Sequence, residues 1–158
     1  MDNQYLQQKE ALAGCGSMQQ LAFVRPVAYA DGAAEGLRAY DVKNGPLRFT
    51  VLAGKCLDIA DASYKGINLS FLAKQGLAGR GPYDVDTKRA GRSIMGGLLF
   101  TVGLENICAP GQVDGLDYVM HGSMRSIPAA HTGCDAEWKG DGYEITVRGE
   151  MRQAALLG

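Results

Sequence analysis

Residues 37–53, LRAYDVKNGPLRFTVLA, carry the reading that decides the fold. From Leu37 to Val42 the side chains alternate, with Leu37, Ala39 and Asp41 on one face and Arg38, Tyr40 and Val42 on the other. Period-two alternation is the mark of a strand, because successive Cβ atoms point to opposite faces. Lys43-Asn44-Gly45-Pro46 comes next, and Asn44-Gly45 tolerates the positive φ that a tight hairpin needs. The return strand, Leu47 to Ala53, places Leu47, Phe49 and Val51 on one face. Two strands and a two-residue turn therefore announce an antiparallel hairpin.

The same grammar extends in both directions. Upstream, Leu21 to Ala30 reads as a strand interrupted by Pro26. Proline has no N–H for the ladder, so that strand belongs at a sheet edge or a bulge. Downstream, CLDIADASYKGINLSFL gives a short strand, a turn at Tyr64-Lys65-Gly66 and another strand from Ile67 to Leu72. HTGCDAEW, the turn KGDG and YEITVRGEM make a further hairpin, with Tyr143, Ile145 and Val147 on one face. Trp138 and Tyr143 flank its turn and read as a cross-strand pair, with an aromatic platform for a ligand as the alternative. Between these lies Ala73 to Arg92, a turn-rich stretch whose length suggests a functional or mobile loop. In SIMGGLLFTVGLENICAP, the apolar centre fits a buried strand or a short helix, and Gly96, Gly97 and Gly103 disfavour the helix. Many short strands with frequent turns indicate an all-β sandwich or barrel. The 22 glycines, spread along the chain, fit that pattern. The first 14 residues carry a weak helical pattern. The organisation read is an amino-terminal extension, residues 1–16, followed by one domain over 17–158. The ending, RQAALLG, would leave a sheet edge in need of cover or a partner.

The bulk properties narrow the function. The chain has 158 residues, 16 Lys+Arg against 17 Asp+Glu and a formal net charge of −1. A nucleic-acid binder needs a basic face, and the densest basic cluster here, TKRAGR, is short. No apolar run approaches the length of a membrane span, and the polar start, MDNQYLQQKE, is no secretory signal. The expectation is a cytoplasmic protein with no nucleic-acid or membrane partner. Cys15, Cys56, Cys108 and Cys134 stand far apart without a CxxC pair. With two histidines in the chain, a metal site is not expected.

Four blocks in order carry a family resemblance: GLRAYDVKNGPLRFTVLAGKCLDIADASYKGINLSFLAKQGL, GGLLFTVGLENICAP, MHGSMRSIPAAH and EITVRGEMRQAALLG. Together they resemble the amino-terminal half of an aldose-1-epimerase-like family of the galactose-mutarotase-like group. The resemblance implies a truncated β-supersandwich built of antiparallel hairpins. It implies a sugar or sugar derivative as the ligand, bound in a groove across a sheet, with no cofactor. In such enzymes a histidine protonates the sugar's ring oxygen while a carboxylate takes the anomeric hydroxyl proton, the ring opens, the C1 bond rotates and the ring recloses. Histidine titrates near neutrality, which suits it to that exchange.

Carried over by motif, His121 in MHGSMR matches the family's His-Gly and is the candidate catalytic acid. Arg125 stands near the motif's arginine, although a serine follows the glycine here. Arg92 reads as a sugar- or anion-facing arginine, with an ordinary surface ion pair as the alternative for both Arg92 and Arg125, and Gly96 and Gly97 read as positions where backbone approaches the ligand closely. The family's arginine-glycine pair is replaced by Lys55-Cys56, and a cysteine is not expected to take the positive φ that glycine takes. His131 reads as a solvated turn residue. Glu105 reads as a turn or cap residue, with orientation of a ligand hydroxyl as the alternative. Asp58 and Asp61, three apart, are expected on opposite faces of a continuing strand. Family members run to about twice this length, and nothing here matches the catalytic carboxylate. The chain is therefore expected to hold one side of an active site. Two other readings stay open: a non-catalytic sugar-binding module, and a remnant that forms a homodimer through its exposed sheet edge.

Overall fold

The computed structural model describes residues 3–154 apart from 82, 83, 85, 87 and 141, with side chains described from residue 8 onward. Residues 155–158, the end of the stretch read as leaving the sheet open, lie outside them.

The central element is a five-stranded antiparallel meander in the order β1 (Ala22–Ala28), β2 (Arg38–Asn44), β3 (Leu47–Leu52), β4 (Asp58–Tyr64) and β5 (Ile67–Asn68). Each strand pairs with its sequence neighbour because each connection is short. Pro26 lies on the edge strand β1, opposite Tyr40, where its missing N–H costs the sheet least. The β2–β3 turn is centred one residue later than Asn44-Gly45. Asn44 pairs with Leu47, leaving Gly45 and Pro46 as the loop. Gly45 has φ 58, and a glycine at the first loop position with proline at the second suits a II′-type turn better than I′.

Both faces of β2 are covered. Ala39 joins Leu37, Leu52, Ala60 and Met95 in one buried cluster. Tyr40 and Val42 join Val51 and Ala53 in a second. The hairpin of β10 (Ala130–Lys139) and β11 (Gly142–Glu150) lays Cys134, Ile145 and Val147 on the second cluster. Trp138 and Tyr143 face each other across it, ring centres 5.5 Å apart in an edge-to-face arrangement. The first cluster is covered by the loop after β5, through Leu77 and Met95. The long loop thus forms part of the core. Smaller hairpins complete the described chain: β6 (Phe71–Leu72) with β7 (Gly96–Gly97), and β8 (Gly111–Val113) with β9 (Leu116–Tyr118). The amino-terminal residues form α1 (Asn3–Ala13).

Two irregularities shape the surface. Between the Phe49/Ala62 and Val51/Ile59 pairs, Thr50 faces two residues, Ala60 and Asp61. This β-bulge puts one extra residue into β4 and re-aims the side chains beyond it. Asp61 then shares with Asp58 the face of the first cluster, so the expectation of opposite faces fails. The second irregularity is the turn after β3, where Cys56 and Leu57 have φ 52 and 57. Cysteine does take the left-handed conformation here. The turn is over-determined by the Cys56 N–H donating to Ile127 O at 2.9 Å and the Leu57 N–H donating to Leu52 O at 3.0 Å.

Candidate functional site

His121 sits where the loop 103–108 meets the loop after β9. Its backbone has φ 64, and two of its neighbours in space share that rare conformation, Leu104 at 65 and Cys108 at 70. Non-glycine residues at positive φ cost free energy and gather where a site dictates backbone shape. The His121 N–H donates to Cys108 O at 3.0 Å, and the Gly103 N–H donates to His121 O at 3.2 Å. The Cys108 N–H donates in turn to His121 Nδ1 at 3.1 Å. An imidazole that accepts at Nδ1 carries its neutral-form proton on Nε2, so the ring is held with Nε2 as donor. Phe100 packs edge-on against the ring at 6.0 Å. Gly122, at φ 75, is required by close approach: a Cβ there would meet Gly103 O at 2.9 Å.

The same two loops wall a cavity of about 480 Å³, lined by Arg80, Glu105, Ser123, Ser126, Arg152 and Gln153 among others. Glu105 Oε2 accepts from the Ser123 N–H at 2.9 Å and the Ser123 hydroxyl at 3.0 Å. Gln153 donates to Ser123 Oγ at 2.6 Å, and its Oε1 is buried without a partner among the described residues. Glu105 therefore caps the His121 loop and also presents a carboxylate to the cavity. Its sequence signal was weak, since a lone glutamate in a turn carries no motif. Gln153 and Arg152 had none.

The other sequence candidates have different surroundings. Arg92 is exposed at the end of a short 3-10 turn, Ala90–Arg92. Gly96 and Gly97 are needed by protein packing: a Cβ on Gly96 would meet Phe71 O at 2.6 Å, and one on Gly97 would meet Ile59 O at 2.6 Å. Arg125 is 2% exposed. Its guanidinium donates to Ser93 Oγ at 2.8 Å and to Asp84 O at 2.9 Å, and lies 3.4 Å from Asp84 Oδ1. It pins the long loop to the His121 loop from within. His131 is exposed at the bulged start of β10.

Behind Arg125 four charges are buried together: Lys55, Asp58, Asp84 and Arg125. Lys55 Nζ donates to Ser93 O at 3.4 Å, and burial lowers its pKa. Asp58 accepts from the Thr101 N–H at 2.7 Å, and burial pushes its pKa up to about 6. Two positive and two negative groups balance, as buried charges must. Among the described residues no group of three or more His, Cys, Asp or Glu side chains is placed to hold a metal ion. No described helix is long and apolar enough to cross a membrane.

A family model described as a domain of unknown function, DUF4432, matches residues 34–158. The chain belongs to the DUF4432 family. The DUF4432 match takes in the meander from β2 onward, both loops of the His121 region and the β10–β11 hairpin. A structure search adds the fold. The chain is similar to the crystal structure of a Klebsiella pneumoniae protein whose proposed activity is that of an aldose 1-epimerase, with a TM-score of 0.53 and 13% identity. The similarity covers 87% of this chain and 40% of that one, so the DUF4432 chain spans less than half of that protein's length. The antiparallel architecture is thus that of an aldose 1-epimerase fold in its amino-terminal part. No curated protein matches the chain in sequence.

Proposed function

We propose that this chain carries one side of a carbohydrate site of aldose 1-epimerase type, with His121 serving the ring oxygen of the sugar. The observation that carries the reading is the locked imidazole: Nδ1 is occupied by the Cys108 N–H, which leaves Nε2 as the proton-bearing atom. In this reading Nε2 donates to the ring oxygen while a carboxylate withdraws the proton of the anomeric hydroxyl. The C1–O5 bond breaks, an open-chain aldehyde forms, and rotation about C1 before reclosure exchanges the anomers. Glu105 is the carboxylate lining the adjoining cavity and accepts a sugar hydroxyl there. Arg92 is the sugar-facing arginine. Gly96, Gly97 and Arg125 hold the walls, the glycines by close backbone packing and Arg125 by tying Asp84 to the His121 loop.

The test is the rate of anomer exchange in free aldoses, followed by NMR exchange spectroscopy, for the parent chain and for His121→Asn. A parent rate above the uncatalysed rate, lost to within error in His121→Asn at unchanged fold, is the expected result. An equal rate in both proteins would overturn the assignment of His121.

A second reading is favoured by the apolar surface along β5 to β7. Ile67 is 68% exposed and Phe71 73%, with Leu69, Leu98 and Leu99 about half exposed. Patches of this kind commonly mark contact surfaces. In this reading a second copy of the chain covers the face through the β5 edge, and sizing across a hundredfold dilution shows a dimer that dissociates. A monomer throughout would refute it.

A further inference from the structure

The bulge in β4 borders a part of the sheet surface away from His121. On one side of it Asp61 and Ser63, two residues apart, share a face with Thr50 and Arg48. There a groove of about 460 Å³ runs across β1 to β4, lined by Tyr29, Asp41, Arg48, Thr50, Asp61 and Ser63, with Val27 and Ala28 at its end. It shares no lining residue with the cavity beside His121. Its size falls within the range of small-molecule sites.

The charges in the groove are already matched. Asp41 takes Arg25 at 3.0 Å on Oδ2, and Arg48 on both oxygens at 3.0 and 2.9 Å. Those bonds hold the Asp41 carboxyl below its ordinary pKa, against the opposing effect of burial. Arg48 in the lining and Arg25, which bonds Asp41 from outside it, together equal Asp41 and Asp61 in charge, so this patch carries no net charge to offer an anion or a cation. What it does offer is unsaturated hydrogen-bonding capacity. The hydroxyls of Tyr29, Thr50 and Ser63 and the Asp61 carboxylate make no side-chain hydrogen bond to another described residue. Burial, then Asp61 and Asp41 nearby, raise the Tyr29 pKa, so its hydroxyl stays protonated as a donor at neutral pH. Asp61 is the complementary acceptor. A carboxylate accepts from two neighbouring hydroxyls at once, and such charge-assisted bonds are the strong ones.

We infer that this groove is a second carbohydrate-binding site, one that takes a neutral sugar ring by its hydroxyls without acting on the anomeric carbon. A neutral polyol matches every element: balanced charge, free hydroxyls that both donate and accept, one free carboxylate, and the apolar edge of Val27 for a C–H face. Regular alternation with Ser63 holds Asp61 on this face opposite Thr50, and the bulge lies beyond it, toward Ile59 and Asp58.

The test uses methyl β-D-galactoside and methyl β-D-glucoside, whose blocked C1 cannot undergo anomer exchange. Backbone amide shifts of the whole chain are followed by NMR during titration. Saturable shifts at residues 41, 48, 50, 61 and 63 are expected with at least one of the two. Asp61→Asn should weaken them by about tenfold or more, the worth of one charge-assisted hydrogen bond. Tyr29→Phe should weaken them too, while His121→Asn should leave them unchanged. Asp61 is exposed and makes no ion pair among the described residues, so its replacement is not expected to disturb folding. No saturable shift at the groove with either glycoside, or shifts that survive Asp61→Asn unaltered, would overturn the inference. Shifts confined to the His121 loops would overturn it as well, while leaving the reading of His121 standing.

Discussion

Replacing Arg125 by methionine removes the guanidinium that joins two loops inside the protein. Arg125 and Asp84 are 2% and 1% exposed, so Asp84 would be left inside without the guanidinium, with Lys55 as the remaining cation of the buried cluster. It would retain the Gly81 N–H, which donates to Oδ2 at 2.7 Å, and lose the contact on Oδ1. Breaking a buried pair by removing one partner costs about 3–5 kcal/mol. Arg125 Nε has no hydrogen-bond partner among the described residues, and with that donor unsatisfied the expected loss falls near the lower figure. For a chain of this size about 3 kcal/mol corresponds to a fall in Tm of roughly 6–12 °C. Urea denaturation at neutral pH measures it, run as a cycle with Asp84→Leu and the double variant. The double variant should be more stable than Arg125→Met alone, because it leaves no isolated charge inside. A change within about 0.5 kcal/mol for Arg125→Met would place the residue at an ordinary surface position and refute the argument. A double variant no better than the single would refute it equally.

Local geometry sets two further outcomes. The Asp58 carboxyl, at about 6 in the folded chain against 3.8 ordinarily, keeps its proton in the folded state at pH values where the unfolded chain has released it. Its contribution is therefore full below about pH 4 and is lost as pH rises through 6. Asp58→Asn should flatten that fall and raise stability at pH 8 by about 1–3 kcal/mol in denaturant titrations, and an unchanged pH profile would count against it. At the β4–β5 turn, Lys65 and Gly66 have φ 51 and 80, the pair of left-handed residues that favours Asn-Gly. Lys65→Asn should raise the urea midpoint by the equivalent of about 0.5–1 kcal/mol, less what is lost from the Lys65 contact with the Tyr64 ring, and a lower midpoint would show that this contact dominates.

The meander was legible because its signals are local. Alternation from Leu37 to Val51 sorts side chains into two faces, and both clusters of the core obey that sorting. Pro26 marked an edge for the same reason. The bulge at Ala60 and Asp61 was not legible, since one extra residue in a strand leaves no trace in hydropathy, and it put Asp58 and Asp61 on one face where two were expected. Cys56 was misread because steric preference was weighed without the hydrogen bonds that force its turn. His121 stood out by its motif, but its restraint by Cys108 depends on a contact across 13 residues. Arg125 and Asp84 are 41 residues apart, and no spacing rule links them.

The order of pairing in the central sheet also bears on how the chain comes to fold. Every pairing from β1 to β5 joins neighbours along the sequence, so each closes a short loop at small entropic cost. The hairpin that seals the second cluster arrives much later in the chain, from Ala130 onward, long after β3 has ended at Leu52. The meander can therefore assemble early with its Tyr40 face still wet, and the interval before β10 and β11 settle on it is when the chain most needs protection from other chains.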